Sequence, residues 1–200
     1  MNVTALFVEL LVIGMGTATW LALFLAAILG YRFDTNLLQE NPALVGTLTA
    51  IVYVLGIIVD RLVRDLFMPT LEAKARRAVF TPERIGHIRA IAPDIDEGNL
   101  SMEMEKFIRA NSESLASKID YNRSRLRICR AWILHFALIG VGFTWWNYRV
   151  QLVDAATHVW LLSGDVLLMI LTWRVAYLLA RDHHNDLIES FQIVAATRDR

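Results

Sequence analysis

Charge is distributed very unevenly along this chain. Four long apolar stretches, near residues 4–30, 43–62, 131–148 and 158–180, hold few ionisable side chains. Between the second and the third lies a polar segment, residues 61–130, with fourteen of the twenty Lys and Arg residues. Apolar blocks of this length, separated by charged segments, are typical of helices that cross a bilayer. The pattern therefore predicts a multi-pass membrane protein.

Each apolar stretch is long enough to form a span, because about 20 helical residues cross a hydrocarbon core of about 30 Å. The third stretch is the weakest of the four, since it contains His135 and is bounded by Arg130 and Arg149. A secretory signal peptide would begin with basic residues, whereas the first basic residue here is Arg32. We therefore expect the first stretch to be a true span.

The balance of charge in the polar segment predicts the orientation. Its fourteen basic and ten acidic residues leave a net charge of +4, so the positive-inside rule places it in the cytoplasm. The connectors at 31–42 and 149–157 hold one Arg each and fall outside. We expect the cell inner membrane, with both termini cytoplasmic, in agreement with Arg181, Arg198 and Arg200 at the C-terminal end.

The fold class predicted by these features is all-α. Only helices or closed barrels satisfy backbone polar groups in lipid, and these stretches are continuously apolar rather than alternating. We expect a single integral-membrane domain over residues 1–200, a four-span transmembrane helical bundle with a cytoplasmic antiparallel helical stalk between spans 2 and 3. The stalk is a helical insert over residues 63–130, and a cytoplasmic helix follows over residues 181–200.

The helical boundaries of the insert follow from its turn residues. No Pro or Gly interrupts residues 99–139, which predicts one helix that continues to Tyr148. Asn99 or Ser101 is expected to cap its start. Pro69 is expected to kink the continuation of the second span, and a short helix is predicted over 82–91. Three apolar residues of the C-terminal helix are expected to face the stalk: Leu187, Phe191 and Val194.

Small residues recur at four-residue spacing in the first span. Such residues allow two helix backbones to approach closely, and van der Waals contact drives helix association in lipid. The face can serve a subunit interface or packing within one chain, and the sequence leaves both open. Its members are Gly14, Ala18, Ala22, Ala26 and Gly30.

Four ionisable residues lie inside the predicted spans, where a charge is costly and therefore marks a candidate functional site. Glu9 and Arg174 are expected to pair across the bundle. Asp165 is expected near the outer end of the fourth span, where it either lines a vestibule or pairs with Arg32 or Arg149. His135 is expected either to pack through hydrogen bonds or to relay protons.

A cluster of charged residues marks the predicted inner boundary of the membrane. Basic side chains at this depth grip anionic lipid headgroups, and the same cluster is a candidate site for a small anionic ligand. Arg123, Arg127 and Arg130 share one face of a helix by their spacing. The whole cluster consists of Asp60, Arg61, Arg64, Arg123, Arg127 and Arg130.

The sequence offers little sign of catalysis. The single cysteine, Cys129, excludes an internal disulfide and a cysteine-based metal cluster. Arg130 and His135 have the Arg-x4-His spacing of some helical ribonucleases, but the His would lie in the bilayer. His183 and His184 point about 100° apart on a helix and complete no metal site. We expect no catalytic residues, no metal, no cofactor and no direct nucleic-acid binding.

These features favour a non-enzymatic inner-membrane protein that self-associates and couples its stalk to the bilayer. The architecture resembles that of small four-span membrane proteins with a helical cytoplasmic insert, among them sensors and effectors of bacterial antiviral defence. That resemblance implies a sensor or membrane-perturbing effector, with anionic lipids, further copies of the chain and a cytosolic protein at residues 63–130 as partners. The alternative is an ion channel or small transporter that uses Glu9, Asp165, Arg174 and His135.

Overall fold

The computed structural model describes residues 3–31, 42–91 and 99–198, and over these residues the chain is helical. We number the α-helices α1 to α7 in chain order. They are α1 (Val3–Leu29), α2 (Pro42–Phe67), α3 (Ala73–Val79), α4 (Pro82–Ile91), α5 (Leu100–Asn111), α6 (Glu113–Val150) and α7 (Ala155–Arg198).

Four helical stretches are long and apolar enough to cross a membrane, which confirms the number of candidate spans and is compatible with a membrane protein. They lie in α1, in α2 with its continuation to Val79, in α6 and in α7. The second stretch continues beyond α2 through a short π-helix, Met68–Glu72. Pro69 lies in this π-helix, as expected for a residue that removes a backbone donor from the helix.

The chain forms two compact units. The polar unit consists of Leu66–Leu126 and the residues from Val175 onward, and the apolar unit consists of the chain up to Asp65 together with Arg127–Arg174. Three helices contribute residues to both units: α6, α7 and, through its last two residues, Leu66 and Phe67, α2.

The predicted single helix from Asn99 to Tyr148 is wrong, because the chain breaks at Ser112. Ser112 has extended backbone angles (φ −151°, ψ 108°) and separates α5 from α6. Glu105 pairs with Arg123, 18 residues further on. In one straight helix these residues would lie about 27 Å apart, so α5 and α6 form an antiparallel hairpin.

The helix ends on both sides of Ser112 are capped locally. Its carbonyl accepts the first hydrogen bond of α6 from the Ala116 N–H at 3.1 Å, and its hydroxyl accepts from the Leu115 N–H at 3.4 Å. The Asn111 side chain donates to the Phe107 carbonyl at 2.7 Å and completes the end of α5. Serine is a favoured N-cap residue. The Asn-Ser-Glu segment therefore indicates a helix start at Ser112, although no Pro or Gly marks a break there.

The hairpin buries both of its apolar faces in one core. Met104, Ile108 and Ile119 are fully buried, and they share a cluster with Val79, Ile88, Leu100, Leu187, Ile188 and Phe191. The rings of Phe107 and Phe191 lie 5.2 Å apart. The predicted helix over 82–91 is confirmed as α4. Leu187 and Phe191, two of the three residues expected to face the stalk, belong to this core, and the third, Val194, is buried.

In the apolar unit, a tight turn joins α6 to α7. The Asn147 side-chain oxygen accepts from the Val153 N–H at 3.0 Å, and Gln151 takes a positive φ of 49°. Asp154 caps α7, because its carboxylate accepts from the backbone N–H groups of Ala156 and Thr157. This short connection makes α6 and α7 antiparallel neighbours in the apolar unit.

Candidate functional site

Helices α1 and α2 approach each other closely where two of their glycines meet the backbone of the opposite helix. A Cβ atom built on Gly14 would lie 1.8 Å from the Val52 carbonyl oxygen, and one built on Gly56 would lie 2.0 Å from the Leu10 carbonyl oxygen. Both distances are far below van der Waals contact, so each glycine is needed for the other helix to fit. At Gly14, the small-residue face of α1 packs within one chain.

The remaining members of that face have different surroundings. Ala26 is buried, whereas Ala18 and Ala22 are half-buried. Gly30 lies outside the packing face, since it is exposed and a Cβ there would meet no atom within 4 Å. Gly30 instead ends α1 with a left-handed φ of +63°, and the Tyr31 N–H then bonds to the Ala26 carbonyl at 3.0 Å. This is the usual role of glycine just after a helix.

Glu9 pairs with Arg127 rather than with Arg174, which corrects the expected pairing. Glu9 Oε1 lies 3.1 Å from Arg127 Nε, with only 2% of the Glu9 side chain exposed and 18% of Arg127. Arg174 is exposed on α7. A buried carboxylate needs a partner of opposite charge, and α6 supplies it because Arg127 lies just before its apolar segment.

His135 is fully buried within the apolar unit. Its ring fits against α1 where Gly16 has no side chain, since a Cβ on Gly16 would lie 2.3 Å from the His135 Cδ2 atom. Trp132 contacts it edge-on, with 5.5 Å between the two ring centroids. The second glycine of the Gly14-Met15-Gly16 segment thus accommodates an imidazole, which the four-residue spacing of small residues did not indicate.

Asp165 is partly buried on α7, where its side chain lies against α6. A Cβ on Gly140 would lie 2.6 Å from Asp165 Oδ2, so the absence of a side chain at residue 140 makes room for the carboxylate. The expected partner Arg32 lies outside the described residues. Within residues 3–31, 42–91 and 99–198, no Lys or Arg, Arg149 included, lies within ion-pair distance of Asp165.

The predicted charged cluster does not form a uniformly free basic surface. Arg127 pairs with Glu9, Arg123 pairs with Glu105, and Arg130 is buried. Arg61 and Arg64 are exposed, and Asp60 is half-buried. Arg64 also lies 3.5 Å from the carboxylate of its neighbour Asp65. Carboxylates of the chain therefore pair with three of the cations that the sequence offered for lipid or an anionic ligand: Arg64, Arg123 and Arg127.

A charge network stabilises the hairpin of the polar unit. Glu105 accepts hydrogen bonds from Arg109 at 2.8 Å and from Arg123 at 2.9 Å, and Arg109 also pairs with Asp120. Burial raises the pKa of Glu105, but the hydrogen bonds from Arg123 and Arg109 outweigh it, so the pKa falls below its usual range. The hydrogen bond to Asp120, together with that to Glu105, raises the pKa of Arg109.

A second set of polar contacts holds α7 in the polar unit. Lys118 donates to the Asp186 carboxylate at 2.7 Å, and the Asn122 side chain donates to the same carboxylate at 2.5 Å. Arg84 donates to the Asn185 side chain at 2.8 Å. These contacts could not be predicted from the sequence, because the two partners in each are separated by at least 64 positions along the chain.

Of the two adjacent histidines of α7, His184 packs against an aromatic ring in the polar unit. The His184 ring lies edge-on to Phe80, with 5.6 Å between the ring centroids. In the part of the chain that the structure describes, no group of three or more His, Cys, Asp or Glu side chains is placed to hold a metal ion.

Comparison with known proteins adds no family to this description. No protein-family model matches the chain, and no curated protein and no solved structure is significantly similar to it.

Proposed function

We propose that the chain is a non-enzymatic protein of the cell inner membrane that self-associates and acts as a sensor or a membrane-perturbing effector. The polar unit is the cytoplasmic part in this proposal, with both termini in the cytoplasm, and it binds a cytosolic protein. Anionic lipid headgroups contact the exposed Arg61 and Arg64. We also propose a role in bacterial antiviral defence, which is supported only by the resemblance in architecture.

The main support for the proposal is that α6 and α7 each extend through both units. Each helix has an apolar segment able to cross a membrane and also supplies side chains to the polar unit. Ile119 of α6 and Phe191 of α7 are fully buried in the polar core. A change in the packing of that core therefore acts directly on two helices that enter the bilayer, which is what a sensor or an effector requires.

The surface available for self-association differs from the one that the small-residue spacing suggested. The crossing at Gly14 is made within one chain, while the candidate span of α7 is only 6% buried. Trp160 is 79% exposed and Leu167 is 56% exposed. A Cβ on Gly164 would meet nothing within 4 Å, so the face around Gly164 is open to lipid and to a second copy.

Native mass spectrometry of the detergent-extracted full chain tests self-association. The proposal predicts a mass that is a multiple of 22.8 kDa. Gly164→Leu is expected to shift the distribution toward the monomer, because its larger side chain blocks close approach without a clash inside the chain. Gly46→Leu is the matched control, since Gly46 is also open and lies on α2. A wild-type monomer would contradict the proposal.

The role of the polar unit is tested by the entry of a membrane-impermeant dye after induced expression in bacteria. Deleting α4 is unsuitable, because Ile88 is fully buried in the core. Glu83→Arg with His87→Glu instead changes two exposed residues of α4. Wild type should increase dye entry, this variant should abolish the increase at equal membrane insertion, and Ser117→Glu on the exposed side of α6 should retain it. Full activity of the α4 variant would refute the role.

A further inference from the structure

The apolar unit contains a cleft between α6 and α7. Its volume is about 630 Å³, and its walls are almost entirely apolar. Ala137, Val141, Leu162, Val166 and Met169 line it, with the aromatic rings of Trp145 and Tyr148. A pocket of several hundred Å³ with apolar walls and a few polar groups is typical of small-molecule sites.

Among the described residues that line this cleft, Asp165 alone carries a carboxylate. This carboxylate lies beside Gly140, where the absence of a side chain leaves room for it. The Thr144 hydroxyl also lines the cleft, but it donates to the Gly140 carbonyl at 2.7 Å and is thereby held within α6. The cleft therefore presents one acidic group in apolar surroundings, on a helix able to cross a membrane.

A carboxylate in such a place is costly unless a cation accompanies it. Within the described residues that cation does not come from a neighbouring Lys or Arg. The apolar walls are poorly suited to a metal ion, because Mg²⁺ and Ca²⁺ need several oxygen ligands. An organic cation suits both the carboxylate and the apolar walls, since its charge faces the carboxylate while its apolar groups contact the walls.

We propose that the cleft between α6 and α7 binds a lipophilic organic cation, with Asp165 as the counter-charge. Trp145 and Tyr148 add to the selectivity, because aromatic faces attract cations and do so more strongly away from water. Gly140 is a positioning residue that leaves room for the Asp165 carboxylate. This site goes beyond the proposed sensor or effector role and does not depend on self-association.

Binding of tetraphenylphosphonium to the detergent-solubilised full chain tests the site, with tetraphenylborate as an anion of nearly the same shape. Equilibrium dialysis of radiolabelled tetraphenylphosphonium gives the affinity, and tetraphenylborate serves as the competitor. We expect saturable binding of the cation, weak competition by the anion, and a loss of affinity of about tenfold or more in Asp165→Asn, equal to about 1.4 kcal/mol. Asp154→Asn is the matched control, because it removes an exposed carboxylate from the start of the same helix while asparagine still caps it.

Gly140→Ala provides a second variant that keeps every charge. Its new methyl group would lie 2.6 Å from the present position of Asp165 Oδ2, so the carboxylate must move and cation affinity should fall. This variant carries the test if Asp165→Asn does not fold. Equal affinity for cation and anion in wild type, or unchanged affinity in the variants, would overturn the proposal and indicate that lipid chains fill the cleft.

Discussion

Glu9 of α1 and Arg127 of α6 form an ion pair in the apolar unit, with 3.1 Å between Glu9 Oε1 and Arg127 Nε. The two residues are far apart in the sequence, and only the packing of the first and third candidate spans brings them together. Since the carboxylate is 2% exposed, the pair is shielded from water. Removing one member of a buried pair leaves a charge that its surroundings no longer compensate.

Glu9→Gln should therefore destabilise the apolar unit strongly. We expect a loss of about 3 kcal/mol, the lower end of the range for breaking a buried pair, measured by thermal unfolding of the detergent-solubilised chain. The double variant Glu9→Leu with Arg127→Leu should recover part of the loss, because it leaves no unpaired charge.

Asp65→Asn is the control for the Glu9 prediction. It removes a carboxylate that is 76% exposed and pairs with Arg64, and exposed pairs contribute about 1 kcal/mol or less. Equal effects of Glu9→Gln and Asp65→Asn would show that Arg127 does not depend on Glu9.

Gly14→Ala should disrupt the crossing of α1 and α2. The new methyl group would lie 1.8 Å from a backbone oxygen of Val52, and a backbone cannot rotate away as a flexible side chain does. We expect a cost of at least about 3 kcal/mol, the upper end of the usual overpacking range, seen as a lower unfolding temperature and a lower yield of monodisperse protein.

Gly46→Ala is the matched control for the glycine crossing. It adds the same methyl group to a membrane-compatible helix, but at a position with no atom within 4 Å. Its stability should equal or exceed that of wild type, because alanine favours the helix over glycine. A large loss in Gly46→Ala, with little effect of Gly14→Ala, would be inconsistent with the crossing of α1 and α2.

Spans and coarse helical elements could be predicted from the sequence because they depend on local composition. The apolar stretches, α4 and the extension of α7 beyond Arg181 all follow from hydropathy, periodicity and breaker residues. The pairing of Glu9 could not be predicted, since Arg127 and Arg174 are both cations near a span boundary. Which of them meets Glu9 depends on the rotation of each helix about its axis, which is set by packing.

The hairpin at Ser112 shows a second limit of local sequence signals. The apolar stripe of residues 100–126 is compatible with one long helix or with two helices that fold together. Two helices that fold together bury Met104, Ile108 and Ile119 in one core. In a single long helix, the apolar stripe would need another element to cover it. Long-range burial therefore decides the outcome, and the N-cap at Ser112 only marks where the chain turns.

Ser112→Ala should weaken the hairpin without changing its core. Loss of the N-cap hydroxyl is expected to cost about 1 kcal/mol, measured as faster amide hydrogen exchange in the first turn of α6. Ser117→Ala is the matched control, because Ser117 is exposed within the same helix and has no capping role. Unchanged exchange near Leu115 in Ser112→Ala would show that packing alone determines the turn.

Acid should weaken the same hairpin through Glu105. The pKa of Glu105 in the folded chain lies below its ordinary value of 4.5, because the hydrogen bonds from Arg123 and Arg109 outweigh the opposing effect of burial. A carboxyl group whose pKa is depressed by folding stabilises the fold above the unfolded-state pKa, and this stability is lost as the pH falls through the folded-state value. The unfolding temperature should thus drop as the pH is lowered from 6 to about 3.

Glu105→Gln should be less stable than wild type at pH 6, and its unfolding temperature should drop less on acidification. Glu103→Gln is the control: the Glu103 carboxylate pairs with the exposed Lys106, so this variant should follow wild type. An identical pH dependence in Glu105→Gln and wild type would mean that other carboxylates govern acid unfolding.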